Sequence, residues 1–204
     1  CHAQTVKAPT VFLDKSPRAV AFQLKRLNDE RLLLVPRADD DAKYIPVYTA
    51  IVSRPAMAAG IREEALDALA KLKGSSVAAE MLAAITSLDS DESDSRRLID
   101  LLTQLMLKRP TEELTAIESA LLSVATDAES PFQAIGLAGL ISSGDTETAR
   151  SIAGKDSEST IALLDSIDRL PAKKLKTAQR DYAVTVFDNA ESAAVKRAAI
   201  AALS

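Results

Sequence analysis

Apolar residues recur at helical spacing through most of the chain that follows residue 15. In the first such segment Val20, Leu24 and Leu27 are three or four residues apart, and later segments repeat this spacing. Side chains three and four residues apart lie on one face of an α-helix, so each segment predicts a helix that buries one face. No segment sustains the period-two alternation of a half-buried strand. The pattern predicts an all-α fold with roughly ten helices of about 9–16 residues.

Start and stop signals divide these segments into separate helices. Ser16 and Pro17 predict a helix start after an extended segment at residues 1–15. Gly74 predicts the stop of a helix at 60–73. Ser130-Pro131-Phe132-Gln133 predicts a start in which Ser130 is the N-cap and Gln133 completes a capping box. Further helices are expected near residues 44–52, 77–88, 95–108, 146–153, 157–170, 175–187 and 191–203, and one that begins at Thr111.

Three stretches share one skeleton, which indicates an internal repeat. Residues 61–69, 132–140 and 195–203 each have a large apolar residue first, a polar residue second, a small residue fifth and Leu ninth. Successive copies are offset by 71 and 63 residues, each close to twice a unit of roughly 32–36 residues. A helix–turn–helix unit of that length cannot bury its apolar face alone, so neighbouring units are expected to stack. Small residues at fixed positions let adjacent helices approach closely.

The first and third copies resemble the second helix of HEAT repeats. Residues 60–69 and 194–203 carry Val or Ile, then a basic residue, then Ala and Leu at helical spacing, as that family does. The middle copy departs from the pattern, with Gln133 in place of the basic residue. The resemblance implies an α-solenoid of HEAT-like antiparallel helix pairs, about five of them, over residues 16–204.

A narrower resemblance concerns residues 15–24, 43–48 and 62–66. Together they are similar to the front part of exported bacterial proteins that couple HEAT-like repeats to a redox domain. That domain is a plastocyanin- or azurin-like copper domain, or a c-type haem domain. The resemblance implies that this chain is the helical part of a longer exported or periplasmic protein, with the electron-transfer domain beyond Ser204. A cytoplasmic location is the alternative.

Composition and charge narrow the classes of partner. The 204 residues are 47% hydrophobic, 26% charged and 3% aromatic, enough apolar content for a sizeable core. Six glycines favour helices joined by short turns. A formal charge of −4 provides no broad positive field for nucleic acid. No apolar run approaches the roughly 20 residues of a membrane-spanning helix.

The inventory of reactive side chains is small. The chain has one Cys and one His, Cys1 and His2, and residues 3–204 contain neither type. Zinc, copper and His-dependent nucleophilic sites are therefore not expected, and the sequence predicts no cofactor in this chain and no catalytic residue. Cys1-His2-Ala3 fits a signal-peptide end, with Ala3 at the processing site, or a lipid anchor at Cys1. The tail of a haem-attachment motif and an arbitrary start of the chain are two further interpretations.

One basic cluster stands out, formed by Arg169, Lys173, Lys174, Lys176 and Arg180. It is a candidate contact patch for phosphates or an acidic partner, and an exposed helix face is the simpler interpretation. The sequence thus predicts a non-catalytic scaffold that contacts a protein partner or a neighbouring domain of the same polypeptide. The alternatives are a HEAT-like enzyme of the bilin-lyase or DNA-glycosylase type, and a free-standing cytoplasmic adaptor.

Overall fold

The computed structural model describes residues 7–204, and all regular secondary structure within them is helical. It contains thirteen α-helices, one 3₁₀ turn at Ala42–Tyr44 and no strand in this described range, which confirms the all-α prediction. Contacts group the chain into two compact units that divide between Ile99 and Asp100. The helices are α1 (Pro17–Lys25), α2 (Asp29–Leu33), α3 (Ile45–Val52), α4 (Ala59–Lys73), α5 (Val77–Ser87), α6 (Ser93–Leu107), α7 (Thr111–Thr115), α8 (Glu118–Thr126), α9 (Gln133–Ser143), α10 (Thr146–Ala153), α11 (Ser157–Arg169), α12 (Lys173–Asn189) and α13 (Ala193–Leu203).

In the first unit, α3 is the central helix. It packs against α1, α2 and α4, and α4 packs in turn against α5. Leu24, Ile51 and Leu66 are fully buried among these helices. Arg54 donates to the carbonyl of Leu24 near the end of α1 and to that of Leu27 just after it, 3.1 and 2.7 Å away. Burial of one apolar face per helix holds this unit together.

In the second unit, successive helices form pairs whose second members stack in order. The pairs are α8 with α9, α10 with α11, and α12 with α13, and α9 contacts α11 while α11 contacts α13. Leu164 and Ile167 of α11 share one apolar cluster with Ala183 of α12 and with Val195 and Ala199 of α13. This arrangement is that of a helical repeat, in which each unit buries its apolar face against the next.

The small residue at the fifth repeat position is buried in every copy. Ala65, Gly136 and Ala199 are all inaccessible to solvent. At Gly136 the reason is a close helix approach, since a Cβ atom there would lie 2.5 Å from the backbone nitrogen of Ala125 in α8. The predicted role of small residues in helix approach is therefore confirmed at α9.

The polar residue at the second repeat position lies against the last turn of the preceding helix in every copy. Arg62 donates to the carbonyl of Val52 (3.4 Å), the last residue of α3, and to those of Arg54 (2.7 Å) and Pro55 (3.3 Å) in the turn after it. Gln133 donates to the Ala125 carbonyl near the end of α8, 3.1 Å away. The ammonium of Lys196 lies 5.7 Å from the ring centre of Phe187, in the last turn of α12.

Several predicted boundaries are confirmed, but the predicted number of about ten helices is too low and one predicted cap is wrong. Pro17 begins α1, and Gly74 ends α4 with a left-handed φ of 62° that suits glycine. The capping box at Ser130 is wrong, because α9 begins at Gln133 with Phe132 in the N-cap position. The Ser130 hydroxyl accepts from the backbone of Phe132 at 3.2 Å, while the Gln133 amide turns to α8 and α11 instead.

Candidate interaction cleft

A cleft of about 520 Å³ opens in the second unit between the C-terminal part of α6 and the end of α11. This volume is within the range of roughly 300–1,000 Å³ typical of ligand sites. Its lining is mainly polar, and consists of Asp100, Thr103, Gln104 and Lys108 from α6 and the residue after it, and Asp165, Asp168, Arg169, Leu170 and Pro171 from α11 and the turn that follows.

The α6 side of the cleft is a polar stripe along one face of an amphipathic helix. Asp100, Thr103 and Gln104 have the spacing that places side chains on one helix face. Leu102 and Met106 lie beside this stripe and are fully buried in the core. Thr103 is only 1% exposed, and its hydroxyl has no hydrogen-bond partner among residues 7–204.

The α11 side repeats this spacing. Asp165, Asp168 and Arg169 are three and four residues apart, while Leu164 and Ile167 carry the apolar face into the core. The helix ends at Arg169, and Leu170 is extended (φ −60°, ψ 133°) as expected of a residue before proline. Pro171 thus fixes the rim of the cleft.

Charges in the cleft are unevenly matched. Arg169 Nη1 lies 3.0 Å from Asp100 Oδ1, in a pair whose side chains are 35% and 58% exposed. Neither Asp165 nor Asp168 has a cation within ion-pair distance in the described chain. Loss of solvation raises the pKa of the Asp165 carboxyl above its ordinary value. The Arg169 charge opposes that rise and the Asp168 charge adds to it.

The five cations of the predicted basic cluster differ in their contacts. Arg169 lines the cleft and pairs with Asp100, and Lys176 Nζ donates to the backbone carbonyl of Asp168 at 2.7 Å. Lys173, Lys174 and Arg180 are exposed on α12. The structure therefore brings two of the five cations to the end of α11 and leaves three on the helix surface.

The remaining sequence-based expectations concern the N-terminal residues, metal sites and membrane-spanning helices. Cys1 and Ala3, the candidate lipid-anchor and processing residues, lie outside the described residues. Within residues 7–204 no group of three or more His, Cys, Asp or Glu side chains is arranged to hold a metal ion. None of the helices in that range combines the length and the apolar character needed to cross a membrane.

Sequence reasoning missed the cleft. The sequence contains both polar stripes that line it. One is Asp100-x-x-Thr103-Gln104 on α6, and the other is Asp165-x-x-Asp168-Arg169 on α11. Each stripe alone is typical of a solvated helix face. The sequence does not indicate that the two stripes lie side by side, because Asp100 and Arg169, which join them by a hydrogen bond, are 69 positions apart.

Comparison with protein-family models, with curated proteins and with solved structures finds no match to this chain.

Proposed function

We propose that this chain is a non-catalytic protein-interaction module, an α-solenoid of HEAT-like helix pairs that holds a partner protein or a neighbouring domain. The observation that carries the proposal is the stacking of α9, α11 and α13, each the second helix of a consecutive pair. Repeat stacks of this kind present extended surfaces that protein partners occupy.

Two further observations support the same role. The residues at the second repeat position, Arg62, Gln133 and Lys196, all contact the end of the preceding helix, so the repeat extends to individual side chains. The second unit also has a polar cleft whose carboxylates are incompletely paired. A surface with such unpaired groups suits recognition of another molecule.

Site-specific photo-crosslinking in the cells that make the protein tests this function. A crosslinking amino acid would replace Glu63, Gln104 or Lys174 in turn, since all three side chains are exposed and lie on different helices. We expect a discrete crosslinked species at one position at least, with one partner identified by mass spectrometry. Turnover of a bilin or release of a DNA base by the purified chain would overturn the proposal in favour of an enzyme.

The location and the neighbouring domain form a separate part of the proposal, which rests on the resemblance of residues 15–24, 43–48 and 62–66. The chain would be the helical part of an exported bacterial protein with a copper or haem domain beyond Ser204. The intact mass of the native polypeptide, taken from envelope and soluble fractions, tests it. A mass well above 21.7 kDa with sequence after Ser204 is expected, and a mass near 21.7 kDa would contradict it.

A further inference from the structure

The cleft between α6 and α11 contains unmatched hydrogen-bonding groups of both kinds. Four buried side-chain atoms among residues 7–204 lack a hydrogen-bond partner, and two of them, Thr103 Oγ1 and Arg169 Nε, belong to residues that line this cleft. Arg169 Nε can only donate, and the Thr103 hydroxyl can donate or accept. Because buried polar groups in folded proteins are nearly always paired, two such atoms in one cleft indicate an occupant that brings acceptors.

Two carboxylates of the same cleft have no cationic partner in the described chain. Asp165 and Asp168 are one helical turn apart on α11, and no described cation lies within ion-pair distance of either. Among the lining residues Arg169 is paired with Asp100, which leaves two carboxylates, Asp165 and Asp168, against one cation, Lys108. Lys176 is outside the lining and donates to the backbone carbonyl of Asp168. An anionic occupant would meet this negative excess, so charge complementarity favours a cation.

A guanidinium group satisfies these demands better than other cations. Its five donors form a planar fork that can reach two carboxylates together, whereas an ammonium is a strongly hydrated point charge. Leu170 and Pro171 give the rim an apolar edge along which an aliphatic side-chain stem can lie. A peptide carbonyl next to such a side chain would supply the acceptor for Arg169 Nε or the Thr103 hydroxyl.

We infer that this cleft is a docking site for an arginine side chain of a protein partner. Asp165 and Asp168 accept from the guanidinium, and Thr103 and Arg169 bind the adjoining peptide backbone. The inference rests on the proposed interaction function and names the chemistry of its partner.

The test uses the whole chain labelled with ¹⁵N and the peptide acetyl-Gly-Arg-Gly-amide. The matched control is the same peptide with citrulline, which keeps the shape of arginine and removes its charge. We expect saturable amide shifts confined to residues 100–108 and 165–171, with the citrulline peptide at least tenfold weaker. Equal binding of both peptides, shifts outside these segments, or tighter binding of spermidine than of the arginine peptide would overturn the assignment.

A variant pair sharpens the test. Asp165→Asn combined with Asp168→Asn should weaken the arginine peptide at least tenfold, and Asp181→Asn, an exposed carboxylate on α12, should change it less than twofold. All three positions are on helix surfaces, and an unchanged far-UV spectrum would verify folding. Unaltered peptide binding in the double variant would contradict the role of the two carboxylates.

The crosslinking experiment separates this inference from the proposed function. If the crosslinked partner is captured equally well by the double variant, the interaction function stands and the cleft assignment fails. If no position gives a crosslink while the arginine peptide still binds at the cleft, the cleft recognises guanidinium and the interaction function lacks support.

Discussion

The α3–α4 pair of the first unit and the α8–α9 pair of the second unit solve one structural problem with different side chains. In both pairs the second repeat position provides donors for carbonyls at the end of the preceding helix or in the turn just after it. Arg62 does this with a buried guanidinium and Gln133 with a neutral amide. The fifth position also differs, being Ala65 in one pair and Gly136 in the other.

This difference indicates that the second repeat position needs a hydrogen-bond donor of suitable reach and not a positive charge. Arg62 is only 3% exposed, and burial lowers the pKa of its guanidinium. No carboxylate of the described chain lies within ion-pair distance of it. The carbonyl of Val52, the last residue of α3, and those of Arg54 and Pro55 in the turn that follows hold it instead. Gln133, 4% exposed, makes one equivalent bond to Ala125 and uses the remaining capacity for Ser159 of α11.

The largest predicted effect follows from the closer approach in the α8–α9 pair. Gly136→Ala places a Cβ atom 2.5 Å from the Ala125 nitrogen and 2.9 Å from the Leu121 carbonyl oxygen, both backbone atoms that cannot turn aside. We expect the free energy of unfolding to fall by about 3 kcal/mol, as overpacked cores do. Urea unfolding followed by circular dichroism measures it.

Gly60→Ala is the matched control, because no atom lies within 4 Å of the added Cβ. Position 60 is in the first turn of α4, where alanine is better than glycine by roughly 0.5 kcal/mol. A Gly136→Ala protein as stable as the Gly60→Ala protein would show that α8 and α9 can separate without loss.

The next effect concerns Arg62. Arg62→Met keeps the aliphatic volume and removes the donors to Val52, Arg54 and Pro55. The Arg54 carbonyl still accepts from the Met57 backbone, so we expect a loss of about 2 kcal/mol, mainly from the Val52 and Pro55 carbonyls. Arg62→Gln restores a donor without the charge and should recover part of that loss. Arg18→Met, at an exposed position of α1, is the control. Equal losses for the Met and Gln variants would show that a neutral amide cannot replace the guanidinium at this position.

Gln133→Met is the counterpart in the other pair. It removes the hydrogen bonds to Ala125 and Ser159, 3.1 Å each, and leaves the Ala125 carbonyl without this donor. Ser159 keeps its bond to Asp156, so we expect a smaller loss, about 1.5 kcal/mol. The same urea titration measures it. A loss greater than that of Arg62→Met would reverse the order of the two pairs.

These pairs also show how far the sequence could predict the fold. Apolar spacing and glycine signals predict most helices, because burial of one face and a left-handed turn are local requirements that Leu66 and Gly74 express directly. The short helix α2 and the break between α7 and α8 were missed. Five-residue segments such as Asp29–Leu33 show too little of the period to be recognised.

The candidate site was harder to predict because its partners meet only through tertiary packing. The sequence predicts that Gln133 completes a capping box. Its amide instead donates to the Ala125 carbonyl and the Ser159 hydroxyl, because both are buried beside it. Likewise, Asp100 and Arg169 each look like solvated surface residues until α6 and α11 bring them together. Long-range pairing of polar groups leaves no periodic signal in the chain.

The smallest effect is expected at Lys196, where the repeat position contacts a ring rather than a carbonyl. Lys196→Met removes a cation 5.7 Å from the Phe187 ring centre, which is worth about 0.5 kcal/mol in a partly exposed setting. Arg197→Met, on the exposed face of α13, should have no measurable effect. A double-mutant cycle with Phe187→Leu should return a coupling of the same size, about 0.5 kcal/mol. If Lys196→Met instead costs as much as Arg62→Met with no coupling to Phe187, the lysine closes the α12 helix end through a carbonyl, and all three copies share one chemistry.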